Sequence, residues 1–220
     1  MMDSQMRGRL SVHMVLSATI ALLAERPLAG TIGFVVLLVM PALVDAFFDN
    51  ELAYIVITLV FSAIAQFVVL DHLLRATCLV DRETGSRRGA FVWTMVATGL
   101  ATMLGLLLII PGLFLAARWA VALPIIVGRR IGSAQAMAMS AEMTRNDMLI
   151  LTLVFGILMS PLILVIVLSG IGHPVSEIGS AYELVAEVML SAQPVVAWYA
   201  SVAIYRLYRT GQPACQEAFA

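Results

Sequence analysis

Residues 28–48, LAGTIGFVVLLVMPALVDAFF, and residues 52–74, LAYIVITLVFSAIAQFVVLDHLL, are two apolar runs separated only by Asp49, Asn50 and Glu51. At 1.5 Å of rise per residue, a helix of about 20 residues crosses the roughly 30 Å hydrocarbon core of a bilayer. Each run therefore reads as a membrane-spanning helix, and the polar trio as the tight turn joining them. The whole chain has the same character. Over its 220 residues it is 61% hydrophobic and 12% charged, with a mean hydropathy of +0.98, which leaves too little polar surface for a water-soluble globule. The sequence specifies an all-α, polytopic membrane protein.

Working outward, four further apolar stretches read as spans: 91–110, 113–127, 148–168 and 182–205. Pro111-Gly112 is expected to break the chain between the first two. The 113–127 stretch would cover only about 22 Å, so it nearly spans with its neighbours' help. Two segments read instead as amphipathic helices lying in the membrane interface. In 10–26, Leu16, Ile20 and Leu23, with Val12 and Thr19, recur at helical steps until Pro27; the polar residues Ser11, His13 and Ser17 speak for an uncleaved helix over a signal peptide. In 133–144, Met137, Ala141 and Thr144 share a face flanked by Arg129, Arg130 and Arg145. The loops 75–89 and 170–180 are polar, and the tail 210–220 has too little apolar content to fold alone. The expected layout is one membrane domain over 1–220, with six spans and two interfacial helices.

All 13 basic residues are arginine, which the coding bias of a GC-rich genome is enough to explain; the net charge of −1 points to no nucleic-acid partner. With the N-terminus in the cytoplasm, Arg7, Arg9, Arg26, Arg75, Arg82, Arg87, Arg88, Arg129, Arg130, Arg145, Arg206 and Arg209 all fall inside, and only Arg118 lies elsewhere. The positive-inside rule then places both termini in the cytoplasm. AERPLAGTIGFVVLLVMPALV also parallels MTRNDMLILTLVFGILMSPLILV, with an interfacial helix, an arginine junction (Arg26 or Arg145), then a span carrying Pro41 or Pro161. Spans 1–2 and 5–6 are thus candidates for a parallel repeat, although apolar sequences align with one another cheaply.

Ionisable side chains inside a bilayer need a partner or an exit. Arg118, six residues past Pro111-Gly112, is placed about 8 to 10 Å inside the fourth span on its outer half. It either snorkels to headgroups or pairs with Asp45, Glu183 or Glu187, of which Glu187 is the deepest. Asp71 and His72 beside Arg75 read as an interfacial anchor or the start of a proton relay. Gln66 and Gln193, nearer mid-membrane, suit an interhelical hydrogen bond better than a ligand.

No H-E-x-x-H, G-x-S-x-G or Gly-rich phosphate loop occurs, and the absence of lysine removes Schiff-base chemistry. His173 has no second histidine at useful spacing, and Cys78 and Cys215 are isolated thiols, so neither a metal, a cofactor nor a disulfide is expected. No catalytic residue is assigned, and the reading is non-enzymatic.

The stretch LGLLLIIPGLFLAARWAVALPIIVGRRIGSAQAMAMSAEMTRND resembles the YciC-type bacterial inner-membrane proteins and the related membrane domain fused to some glycerophosphoryl diester phosphodiesterases. The resembling residues are Pro111-Gly112, Arg118-Trp119, Pro124, Gly132, Ala136, Ser140 and Thr144-Arg145. Gly128-Arg129-Arg130 replaces an acidic residue often found after the fourth span, and Asn146 replaces a usual glycine. The resemblance implies a polytopic protein of the bacterial inner membrane and transfers no activity. The expected function is to organise or assist other envelope components, with membrane lipids and other membrane proteins or further copies of the chain as partners. The alternative is a small transporter or channel with a path near Pro111-Gly112 and Arg118.

Overall fold

The computed structural model describes residues 10–47, 50–80, 88–106, 110–129, 131–170 and 180–209. The expectations for the N-terminal arginines, Arg82, Arg87, Arg130, His173, Cys215 and the tail lie outside the described residues. Those described form α1 (Val12–Glu25), α2 (Pro27–Phe47), α3 (Glu51–Ala76), α4 (Arg88–Leu106), α5 (Ile110–Arg118), α6 (Ala122–Arg129), α7 (Ser133–Met143), a 3-10 turn (Arg145–Asp147), α8 (Met148–Gly170) and α9 (Ser180–Arg209). Among the described residues, four segments are long and apolar enough to cross a membrane: Pro27–Phe47, Glu51–Ala76, Pro111–Arg129 and Leu184–Arg209. A fifth is added if Ser133–Met143 and Arg145–Pro161, bent by 49°, count as one.

Local chemistry sets the helix ends. Ser11 caps α1 by accepting from the Met14 N–H. Pro27 opens α2, where its missing N–H costs nothing. Asn50 Oδ1 accepts from the Leu52 and Ala53 N–H groups at 2.9 and 3.3 Å, closing the α2–α3 hairpin. At the other end of α3, Leu79 N–H reaches the Leu74 carbonyl and Cys78 N–H that of Arg75. This is a Schellman-type stop, with Cys78 at φ 55° in the left-handed position that usually takes glycine.

The packed core lies towards one end. It gathers Val15 and Leu22 from α1, Leu70, Leu73 and Leu74 from α3, Ile125 from α6, Leu151 and Val154 from α8, and Tyr199 and Ile204 from α9. The same end carries Arg26, Arg206 and Arg209. The Tyr199 hydroxyl donates to the Arg26 carbonyl, Arg206 pairs with Glu25 at 3.7 Å, and Arg209 donates to the Leu79 carbonyl at 3.2 Å. Towards the opposite end, Leu43, Phe47, Leu52, Ile55 and Leu59 of the α2–α3 hairpin are exposed apolar surface.

Three local expectations change. First, 113–127 is not one helix. The chain turns at 119–121, where the Ala122 N–H bonds to the Trp119 carbonyl and leaves that of Arg118 without a helical donor. Pro111 and Gly112 sit in the first turn of α5, a place that tolerates proline, and thus start a helix. Second, α1 has a further, buried face of Val15, Thr19 and Leu22, beside the stripe on which Ile20 is 67% exposed. Thr19 can be buried because its hydroxyl donates to the Val15 carbonyl at 2.8 Å. Third, α7 buries Ala136, Ser140 and Thr144, a stripe of small residues at steps of four, against α6 and α4. Met137 is only half-buried.

Candidate functional site

A cavity of about 260 Å³ lies among α3, α8 and α9, with Ala120 and Leu123 of the α5–α6 turn region completing its lining. Its apolar surface comes mainly from Phe155, Met159 and Trp198, and its polar groups from Gln66, Gln193 and Ser201. Helical rise sets its depth: Gln66 is ten residues, about 15 Å, from Ala76 at the end of α3, and Met159 is eleven residues, about 16 Å, from Met148 at the start of α8. Gln66 is also only five residues, about 7.5 Å, from Asp71, and Ser201 the same from Arg206, so the cavity lies between the middle of the helices and the arginine-rich end. Pro194, beside Gln193, supplies no N–H to its own helix.

The polar groups of the cavity are unequally committed. Ser201 donates to the Trp198 carbonyl at 2.7 Å. Gln193 Nε2 contacts the Met159 sulfur, a weak acceptor. Gln66 makes no hydrogen bond among the described residues. The charged candidates lie elsewhere, since neither Arg118 nor Glu187 lines the cavity.

A second polar cluster marks the arginine-rich end. Asp147, 8% exposed, accepts from the Leu10 N–H at 3.3 Å and from the Tyr208 hydroxyl at 3.1 Å. One carboxylate thus ties the N-terminal segment, the corner between α7 and α8, and the end of α9. Next to it, Ser140 Oγ donates to the Arg118 carbonyl at 3.0 Å, and Thr144 Oγ1 lies 2.9 Å from the Ser140 carbonyl and 3.3 Å from that of Arg118. Ser140, with Thr144 within reach, therefore satisfies the acceptor that the turn at 119–121 sets free. Thr94 donates to Ser133 Oγ at 2.6 Å and pins the start of α7 to α4. Pro124, Ala136, Ser140 and Thr144, noted for their motif, are buried around this turn; Gly132 is the N-cap residue of α7, and Trp119 lies in the turn.

The expected pairing of Arg118 with an outer acid is not formed. Arg118 is exposed and, among the described residues, in no ion pair; its carbonyl contacts place it near Asp147 rather than at the opposite end. Glu187 is exposed on α9, 22 residues or about 33 Å from Arg209, so depth separates the two. Asp45 is exposed near the end of α2, and the Glu183 side chain lies outside the described residues. Arg145 is exposed at the 3-10 turn, and Asp71 pairs with Arg75 within α3 at 2.7 Å. Reading the sequence missed Asp147, Tyr208 and Trp198. An aspartate just ahead of the apolar run from Met148 was the available sign for the first.

No family model matches the chain, and no curated protein or solved structure is significantly similar to it.

Proposed function

We propose that the chain is a non-enzymatic integral membrane protein that organises or assists other components of a bacterial envelope. It sits in the inner membrane with six spans, on α2, α3, α4, α5–α6, α8 and α9, and with both termini in the cytoplasm. The clustering of the described arginines at one end supports that orientation. The observation that carries the functional reading is a locked interior beside uncovered helix faces. Buried hydroxyls and a carboxylate tie the helices together, and the α2–α3 hairpin offers uncovered apolar faces on which membrane-embedded partners can pack. The resemblance to YciC-type proteins and the parallel repeat of α2–α3 and α8–α9 belong to the same reading.

Photo-crosslinking in native membranes tests it. A photoreactive residue at Ile55 or Leu59 should give a discrete, saturable protein adduct, and one at the buried Leu73 should give none. Diffuse lipid adducts alone at Ile55 and Leu59 would count against an organising role. The cavity with Gln66 and Gln193 favours the second reading, a small transporter or channel, which requires solute flux in proteoliposomes.

A further inference from the structure

Beyond an organising role, the cavity among α3, α8 and α9 has a chemistry of its own. Its lining consists of Gln66, Gln193, Ser201 and apolar side chains, with no ionisable group. A phosphate or ammonium headgroup would lose its water inside this lining and gain no counter-charge from it. The two carboxamides bring four N–H donors and two carbonyl acceptors. One donor meets only a thioether, Gln66 has no partner, and the Ser201 hydroxyl is spent on the Trp198 carbonyl. The open demand is for a ligand with both an acceptor and a donor. The volume of about 260 Å³ accommodates about nine heavy atoms at the ~30 Å³ that a water molecule occupies in the liquid. That fits a small polar group and excludes two acyl chains.

We infer that this cavity binds the glycerol-ester end of an uncharged acylglycerol lipid such as diacylglycerol. The free hydroxyl donates to a glutamine carbonyl, the ester carbonyls accept from the amide N–H groups, and the acyl chains run out into the bilayer. Met159, Phe155 and Trp198 form the apolar wall against the glycerol carbons.

The test uses the full chain in phosphatidylcholine nanodiscs. Three photoreactive, alkyne-tagged probes with the same acyl chain are compared at equal mole fraction: a diacylglycerol, a phosphatidylcholine and a plain alkane. Diacylglycerol should label the peptides carrying Met159 and Trp198 at least tenfold more than either other probe. Gln66→Leu with Gln193→Leu should remove that preference while leaving alkane labelling unchanged. Ala197→Phe fills the cavity without touching the amides and should abolish labelling there; it serves if the double variant fails to fold. Equal labelling by phosphatidylcholine, indifference to both sets of substitutions, or no labelling at Met159 and Trp198 would each overturn the assignment. Because no partner protein is present, failure of the organising role leaves this readout unaffected.

Discussion

Asp147 joins three parts of the chain that lie far apart in sequence, so its removal gives a large and specific loss. Asp147→Ala deletes the acceptor for the Leu10 N–H at 3.3 Å and the Tyr208 hydroxyl at 3.1 Å. Hydrogen bonds to a charged group contribute about 1.5–3 kcal/mol each, and both of these are long enough to sit at the low end, which gives about 3 kcal/mol in total. For a chain of this size each kcal/mol is about 2–4 °C in Tm, so the variant should melt about 6–12 °C lower in detergent. Tyr208→Phe removes only one of the two bonds and should cost about 1.5 kcal/mol. Asp147→Asn keeps an oxygen for Leu10 and should fall between wild type and Asp147→Ala. In a double-mutant cycle, Asp147→Ala with Tyr208→Phe should lose about 1–2 kcal/mol less than the sum of the two single losses, because the shared bond is counted once. Additive losses would show that Tyr208 and Asp147 do not interact and would refute the three-way tie.

Further substitutions test the rest of the packed end. Ser140→Ala with Thr144→Val strips both hydroxyls from the Arg118 carbonyl and should cost about 1–3 kcal/mol, measured by thermal unfolding; no loss would mean the turn at 119–121 satisfies its own acceptor. Gly128→Ala brings a Cβ to 2.9 Å from the Leu79 carbonyl, a backbone atom that yields only if the chain shifts, and should destabilise by about 1–3 kcal/mol. Gly89→Ala, with nothing within 4 Å of the added methyl, should cost nothing and gain up to about 1 kcal/mol of helix propensity, the control in the same melting series. Cys78→Gly relieves the left-handed backbone at φ 55° and should raise stability by about 1 kcal/mol, seen as a Tm gain of 2–4 °C.

Length and hydropathy carried most of the helix positions, because a membrane helix must be about 20 apolar residues long whatever its neighbours do. The turn at 119–121 was not legible. Residues 113–127 contain no glycine and no proline before Pro124, and the break depends on hydroxyls donated from Ser140 and Thr144, more than twenty residues away. For the same reason Arg118 was placed at the wrong end: its depth was counted along one unbroken span. The buried stripe of α7 escaped because Ala136, Ser140 and Thr144 are small rather than strongly apolar, and it was their hydrogen bonding and close fit that selected them. Gln66 and Gln193 stood out as amides in apolar helices, but only the fold shows that they share a cavity.

The proposed orientation puts the arginine-rich end of a membrane-crossing chain in the cytoplasm. Asn50 caps α3 at one end of the helices and Asn146 is exposed in the turn before α8 at the other. In a background carrying Cys78→Ser and Cys215→Ser, Asn50→Cys and Asn146→Cys are to be treated with a membrane-impermeant maleimide on intact spheroplasts. With that orientation, residue 50 should react without permeabilisation and residue 146 only after it. Reaction at residue 146 in intact spheroplasts, or reaction at both positions from the same side, would contradict it.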